Sequence, residues 1–281
     1  MAASHPSSCK LAPRVLVFDS GIGGMGAVQA LRQLAPILRI DYLADTALFP
    51  YGEQEDQFLT DRIVSLLSAA NETLMPDLLV VACNTASTLA LTALRDHLSL
   101  PIVGCVPPIR WAGRVSVTRT IGLLATSATV RRPYITRLWH DYASDCRLLV
   151  HGGRALADMA EQAFRGETPD PAAIRHELDQ LFEQKDGETI DTIGLGCTHY
   201  SFLLSSFQRV SPPHITWLDP APAVAQQALR RLGEKWTFPL EVDPAAPEPR
   251  FFITAPPPDE NRLIQQIRWL GYENCSLFPA P

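Results

Sequence analysis

Eight short apolar runs, most of them separated by amphipathic helical stretches, limit what this 281-residue chain can become. They are VLVFD (15–19), IDYLA (40–44), LLVVA (78–82), PIVGC (101–105), TIGLLA (120–125), CRLLV (146–150), TIGLG (192–196) and ITWLD (215–219). Strand-sized runs alternating with helical periodicity are the signature of β-α units around a mostly parallel sheet. The fold class expected is therefore α/β, doubly wound. At roughly 150 residues per domain the length predicts two such domains, each large enough to bury its own core. The segment 244–258 holds six prolines and cannot continue as a helix. It reads as a loop interrupted by a short FFIT strand, and a last helix near 260–270 closes the chain.

An internal repeat is also present. VLVFDSGIGG from Val15 and TIGLLATSATV from Thr120 each carry a strand into a small polar turn. VVACNTASTLA from Val80 and GLGCTHYSFLL from Gly194 each carry a strand into a cysteine. Asp19 pairs with Thr126 and Cys83 with Cys197, in the same order and at similar offsets. Two copies of one α/β unit follow, each with a polar turn and a thiol at a strand end.

Those strand ends are where chemistry is expected, because parallel sheets bind ligands beyond the carboxyl ends of their strands, where backbone N–H groups lie free. In Cys83-Asn84-Thr85-Ala86-Ser87 a buried strand delivers the thiol to the sheet edge, and Asn84 or Thr85 is expected to cap the next helix. A helix N-terminus lowers a thiol pKa and attracts carboxylates. The arrangement recurs at Gly196-Cys197-Thr198-His199-Tyr200, where His199 is a proton partner for the thiol. At any single strand end a packed, inert thiol is the commoner outcome. Two thiols at equivalent ends of a duplicated unit, each followed by Thr within two residues, reverse that preference. Cys9, Cys105, Cys146 and Cys275 lack this context and read as structural or incidental.

The first turn, Asp19-Ser20-Gly21-Ile22-Gly23-Gly24-Met25-Gly26, spaces Gly21, Gly23 and Gly26 as a dinucleotide-binding fingerprint. Asp41 would begin the second strand rather than end it, and Asp45 suits a ribose only if that strand extends. Asp19 and Ser20 instead place a carboxylate and a hydroxyl in the cleft. The loop Ala44-Asp45-Thr46-Ala47-Leu48-Phe49-Pro50-Tyr51-Gly52 follows the second strand, and Gly52 permits close backbone approach to a ligand. No metal-binding pattern occurs.

Composition narrows the partners. Lys and Arg total 24 against 30 Asp and Glu, a formal net charge of −6, which opposes binding to nucleic acid or an anionic membrane surface. No apolar stretch approaches the roughly 20 residues of a membrane span, and the first fourteen residues offer no signal-peptide core. The six cysteines contain no C-x-x-C pair. Reduced thiols and a cytoplasmic location are expected.

FDSGIGG, ADTALFPYGE, VVACNTAST, PIVGCVPPI and LGCTHY, in this order and spacing, resemble the glutamate racemases of the PLP-independent Asp/Glu racemase family. The resemblance runs from Val15 to about Ala225. It implies cofactor-independent interconversion of L- and D-glutamate for peptidoglycan synthesis, in a cleft between two pseudo-symmetric domains. It also implies that Cys83 and Cys197 are the two catalytic bases, Cys83 for the D-isomer and Cys197 for the L-isomer, with Asp19 and His199 assisting. Asp19, Ser20, Tyr51, Gly52, Asn84, Thr85, Thr198 and His199 would line the substrate site. The implied domains are residues 1–107 with 219–281, and residues 108–218. Ser201 stands where the family usually has Pro, and LDPAP at Leu218 lacks the family's D-S-G, so the role of Asp219 is open. Asp158 or Glu161 would match a Glu of the second domain. The extension to Arg14 and HGGRALADMAE look like the Gram-negative branch, some members of which need an activator, UDP-MurNAc-L-Ala. Rival readings are a racemase for another amino acid such as aspartate, an NAD(P)-dependent oxidoreductase using the Gly21–Gly26 turn, and a non-catalytic dicarboxylate-binding module.

Overall fold

The computed structural model describes residues 12–153, 155–233, 248–257 and 259–279. Cys9, most of the N-terminal extension, Arg154 and part of the proline-rich 244–258 segment lie outside them. Ten strands are described: β1 (Arg14–Asp19), β2 (Arg39–Ala44), β3 (Leu78–Val81), β4 (Ile102–Gly104), β5 (Thr120–Ala125), β6 (Arg147–Gly152), β7 (Thr192–Gly196), β8 (Thr216–Leu218), β9 (Phe251–Ile253) and β10 (Cys275–Leu277). The helices are α1 (Met25–Leu34), α2 (Asp56–Leu74), α3 (Asn84–His97), α4 (Ile109–Val115), α5 (Ser127–Arg131), α6 (Pro133–Ala143), α7 (Ala155–Phe164), α8 (Pro171–Phe182), α9 (Leu204–Val210), α10 (Ala221–Gly233) and α11 (Glu260–Arg268).

The strands form two sheets, ordered β10-β9-β2-β1-β3-β4 and β6-β5-β7-β8, and every described pairing is parallel. The order β2-β1-β3-β4 repeats as β6-β5-β7-β8. Duplication read from two short matches thus extends to a four-strand unit, which β9 and β10 widen in the first copy. Alternate residues of β1 serve opposite faces: Val15 and Val17 pack in one core with α1 and α10, and Leu16 and Phe18 in another with α2 and α3. The second sheet divides likewise, Leu124 toward α7 and α8 and Ile121 and Leu123 toward α4 and α6. Both sheets are therefore doubly wound, and their carboxyl ends meet at one cleft. Among the described residues no helix is long and apolar enough to cross a membrane.

All eight strands read from the sequence form, some shortened or shifted by a residue or two: β4 is three residues, β6 runs on to Gly152, and β8 keeps only Thr216–Leu218. The short strand in the proline-rich region pairs with β2. β10 was not foreseen. Its CSL sequence is too short to show an apolar run or a period, and Leu277 is exposed at the sheet edge.

Candidate active site

The turn after β1 is shaped by close approach. Asp19, fully buried, accepts hydrogen bonds from the Gly21 N–H at 3.0 Å and the Ser20 hydroxyl at 3.5 Å. Its other oxygen accepts from the Thr198 hydroxyl of the second unit at 2.9 Å. A Cβ on Gly21 would stand 2.6 Å from Glu161 Oε1, and one on Gly23 would stand 2.5 Å from both His199 Nδ1 and Thr198 Oγ1. The glycines make room for side chains of the other unit, not for a pyrophosphate. At Gly21 and Gly23 the space a phosphate would need is filled, which removes the rival dinucleotide reading of the Gly21, Gly23 and Gly26 spacing. Asp41 instead receives Arg14 and Arg250. Asp45 accepts from Tyr51 at 2.7 Å, from Arg62 at 2.7 Å and from Thr254 at 2.6 Å, pinning the loop that carries Tyr51 and Gly52.

β3 delivers Cys83 to the cleft. Neither Asn84 nor Thr85 caps α3, as both belong to its first turn; the Cys83 Sγ itself accepts from the Ala86 N–H at 3.5 Å. The Ser20 hydroxyl lies 3.8 Å from the same sulfur. The lowered thiol pKa expected from the helix end is reversed. Burial, reinforced by the charges of Asp19 and Cys197, pushes Cys83 up to about 12 against the hydrogen bonds from Ala86 and Ser20.

Cys197 follows β7 and leads not into an α-helix but into a 3₁₀ segment, Thr198–Leu203, with α9 starting only at Leu204. Its sulfur is 3.9 Å from His199 Nδ1, and His199 Nε2 is 3.1 Å from Glu161 Oε1. Burial pulls the His199 imidazole down. Its hydrogen bonds to Cys197 and Glu161, with the charges of Cys197 and Asp19, outweigh this and hold it well above the ordinary histidine range. Glu161 answers in the opposite sense: burial raises its carboxyl, but His199, the Ile22 N–H and Arg165 bring it below the usual carboxylate range. Burial raises Asp19, partly offset by His199, Gly21 and Thr198. Asp158 is exposed, so Glu161 is the acid of α7 that reaches the site.

A cavity of about 20 Å³, room for little more than one water, collects these groups. Ser20, Tyr51, Gly52, Cys83, Asn84, Thr85, Cys197, Thr198 and His199 all line it. Asp19 stands behind, holding Thr198. The Tyr51 hydroxyl is committed to Asp45, so Tyr51 offers the cavity mainly its ring. The Asn84 amide is 2% exposed, yet neither its nitrogen nor its oxygen has a hydrogen-bond partner. A buried unsatisfied amide is costly and marks a place for a polar ligand. Phe49, Pro50, Thr126 and Ala157 also line the cavity; Phe49 and Pro50 belong to the loop read from the sequence as approaching a ligand, and Ala157 was not singled out. The repeat already pointed to Thr126, as the counterpart of Asp19. Ser201 lies in the 3₁₀ segment, and Asp219 accepts from the Ala221 N–H at 2.9 Å, at the start of α10. Cys105 and Cys146 are buried away from this cavity as free thiols. Among the described residues no cluster of His, Cys, Asp and Glu is arranged to hold a metal ion.

Comparison with known proteins follows the same geometry. Residues 28–228 match the family described as Asp/Glu/Hydantoin racemase. A glutamate racemase of Granulibacter bethesdensis is 52% identical over 77% of each chain. One from Klebsiella pneumoniae is 35% identical over 99% of this chain and 95% of its own. The crystal structure of Escherichia coli glutamate racemase in complex with L-glutamate and the activator UDP-MurNAc-ala superposes with a TM-score of 0.87 at 34% identity, covering 95% of this chain and 98% of that one. With two duplicated parallel sheets, a cysteine from each in one cavity, and relatives that match almost end to end, the chain belongs to the Asp/Glu racemase family.

Proposed function

We propose that this enzyme interconverts L- and D-glutamate without a cofactor, by proton transfer between two thiols. The observation that carries the reading is the placement of Cys83 and Cys197 at corresponding strand ends of the four-strand unit the two sheets share, in the wall of one cavity. Inverting a stereocentre by proton transfer needs a base on one face of Cα and an acid on the other, and one sulfur from each unit supplies this. The names of the relatives, and the L-glutamate bound to the Escherichia coli protein, support the choice of substrate.

The two sides are not electrostatically equal. Cys83 is held as a thiol, ready to donate. Cys197 sits 3.9 Å from an imidazole whose protonated form is favoured, a partner that Cys83 lacks. This arrangement is set to take the α-proton of the L-isomer at Cys197 and return one from Cys83. In the reverse direction the Cys83 proton has a route through the Ser20 hydroxyl to Asp19, whose raised pKa makes it a better acceptor. The unpartnered Asn84 amide supplies a donor for a substrate carboxylate. Such fixed donors lower the barrier where charge develops, each factor of ten in rate requiring about 1.4 kcal/mol.

The domain boundaries given above, 1–107 with 219–281 and 108–218, are part of this reading. Packing of α4 with the second sheet and of α10 with the first supports them. So are a cytoplasmic role in peptidoglycan synthesis and activation by UDP-MurNAc-L-Ala, the latter supported by the activator bound to the Escherichia coli protein; unchanged kcat/KM on adding that precursor would remove it. The mechanism is tested by Cys83→Ser and Cys197→Ser, followed by circular dichroism of each glutamate enantiomer. Each variant is expected to lose at least a thousandfold in racemisation, and near-native racemisation by either would refute the two-thiol assignment.

A further inference from the structure

Beside the catalytic cavity lies a second of about 600 Å³, within the size range of small-molecule sites. Pro50, Gly52, Thr126 and Ala157 line both, so they form the neck between them. The inner cavity is too small for an amino acid, so substrate exchange requires this neck to widen. Gly52 and Thr126 meet there from opposite units: a Cβ on Gly52 would be 3.2 Å from Thr126 Cβ.

One wall of the outer cavity carries an ion pair that spans the two units. Arg132, 8% exposed, donates to Asp56 Oδ1 at 2.8 Å and to the Thr88 hydroxyl at 3.4 Å, and its Nε has no partner. Both partners belong to the first unit, at the start of α2 and within α3. Arg132 and Thr126 flank the five-residue helix α5, whose first turn is fixed by Thr126 accepting from the Thr129 N–H at 3.2 Å. Thr129 in turn meets Thr85 of the catalytic cavity at 3.3 Å. A pull at one end of so short a helix is transmitted to the other. With so little of its guanidinium in water, Arg132 depends on Asp56 for charge compensation, and parting the units leaves that charge poorly matched.

We propose that the Arg132–Asp56 ion pair is a clasp that positions α5 and Thr126, holding the neck shut over the two thiols, so that substrate from the outer cavity reaches Cys83 and Cys197 only when it opens. That substrate is glutamate rests on the function proposed above; the clasp itself does not. Arg132 is thus a positioning residue for closure, acting through α5.

The test is the rate at which iodoacetamide alkylates each cysteine in the folded, substrate-free protein, read by mass spectrometry, in the native chain, Asp56→Asn and Asp56→Glu. Asp56 is largely exposed, so its replacement spares the core. Asp56→Asn is expected to speed alkylation of Cys83 and Cys197 about tenfold, leave Cys105 and Cys146 unchanged, and raise KM for both enantiomers more than it lowers kcat. Asp56→Glu is expected to restore native values. Unchanged alkylation at the two cleft thiols overturns the clasp. So does equal acceleration at all four cysteines with a lower melting temperature, which would mean general loosening. Selective acceleration in a protein that fails to racemise glutamate would keep the clasp and reject the proposed function.

Discussion

At Cys83 two influences oppose each other. The first turn of α3 directs an N–H at the sulfur, and this alone would favour the thiolate. Burial and the nearby Asp19 carboxylate disfavour it more, and the thiol prevails. At His199 the balance goes the other way, because two acceptors, Cys197 and Glu161, outweigh burial of the ring. The sign of the resulting pH dependence follows from linkage. A group whose folded pKa is raised contributes stability that is complete below its unfolded value, about 6.5 for histidine, and is lost as pH rises through the folded value. Glu161→Gln removes one of the acceptors. The His199 pKa should then fall, the alkaline limb of kcat/KM should move to lower pH, and part of the stability near neutrality should go, by about 1–3 kcal/mol for a charged hydrogen bond. A pH–rate profile with its alkaline limb unmoved would show that Glu161 does not hold the imidazole. Neither balance was legible in the sequence, which showed a thiol at a helix start but not how deeply it is buried.

The turn and the loop act at the scale of elements. Gly21 and Gly23 allow the first turn to lie against Glu161, Thr198 and His199, where the Ile22 N–H donates to Glu161 and Thr198 to Asp19 across the two strand ends. Gly23→Ala would drive a methyl into His199 and Thr198, both buried. Misplacing catalytic groups by about 1 Å can cost about a hundredfold. Gly23→Ala is expected to lose that much in kcat while keeping a native circular dichroism spectrum, and near-native turnover would show that the contact is not needed. Several of these elements were readable from the residues. The strands showed as apolar runs, the cysteines as strand ends, and the glycine turn as a turn. The use of those glycines was left open between a dinucleotide and the cleft, because G-x-G-x-x-G specifies where a backbone is bare but not what comes up against it. The choice between Asp158 and Glu161 was also hidden, since it depends on which face α7 turns to the first unit, and so was the 3₁₀ start after Cys197, which depends on local hydrogen bonding that no residue pattern marks.

In the whole molecule, duplication is the organising fact. A four-strand order shared by the two sheets brings their carboxyl ends to one cleft, with Cys83 and Cys197 both in its wall. The repeat in the sequence revealed this duplication because strand ends carry distinctive residues. It did not reveal β10, which is too short and exposed to leave a pattern, nor the Arg132–Asp56 contact, which exists only once the two units meet. The most direct measurement of the central claim is deuterium uptake at Cα in D₂O, with no cofactor added, starting separately from L- and D-glutamate. Transfer between two distinct thiols predicts that product formed in the first turnovers carries solvent deuterium at Cα while unconverted substrate remains largely protiated, from both directions. Product that retains its original hydrogen, or an absolute need for an added cofactor, would contradict the account.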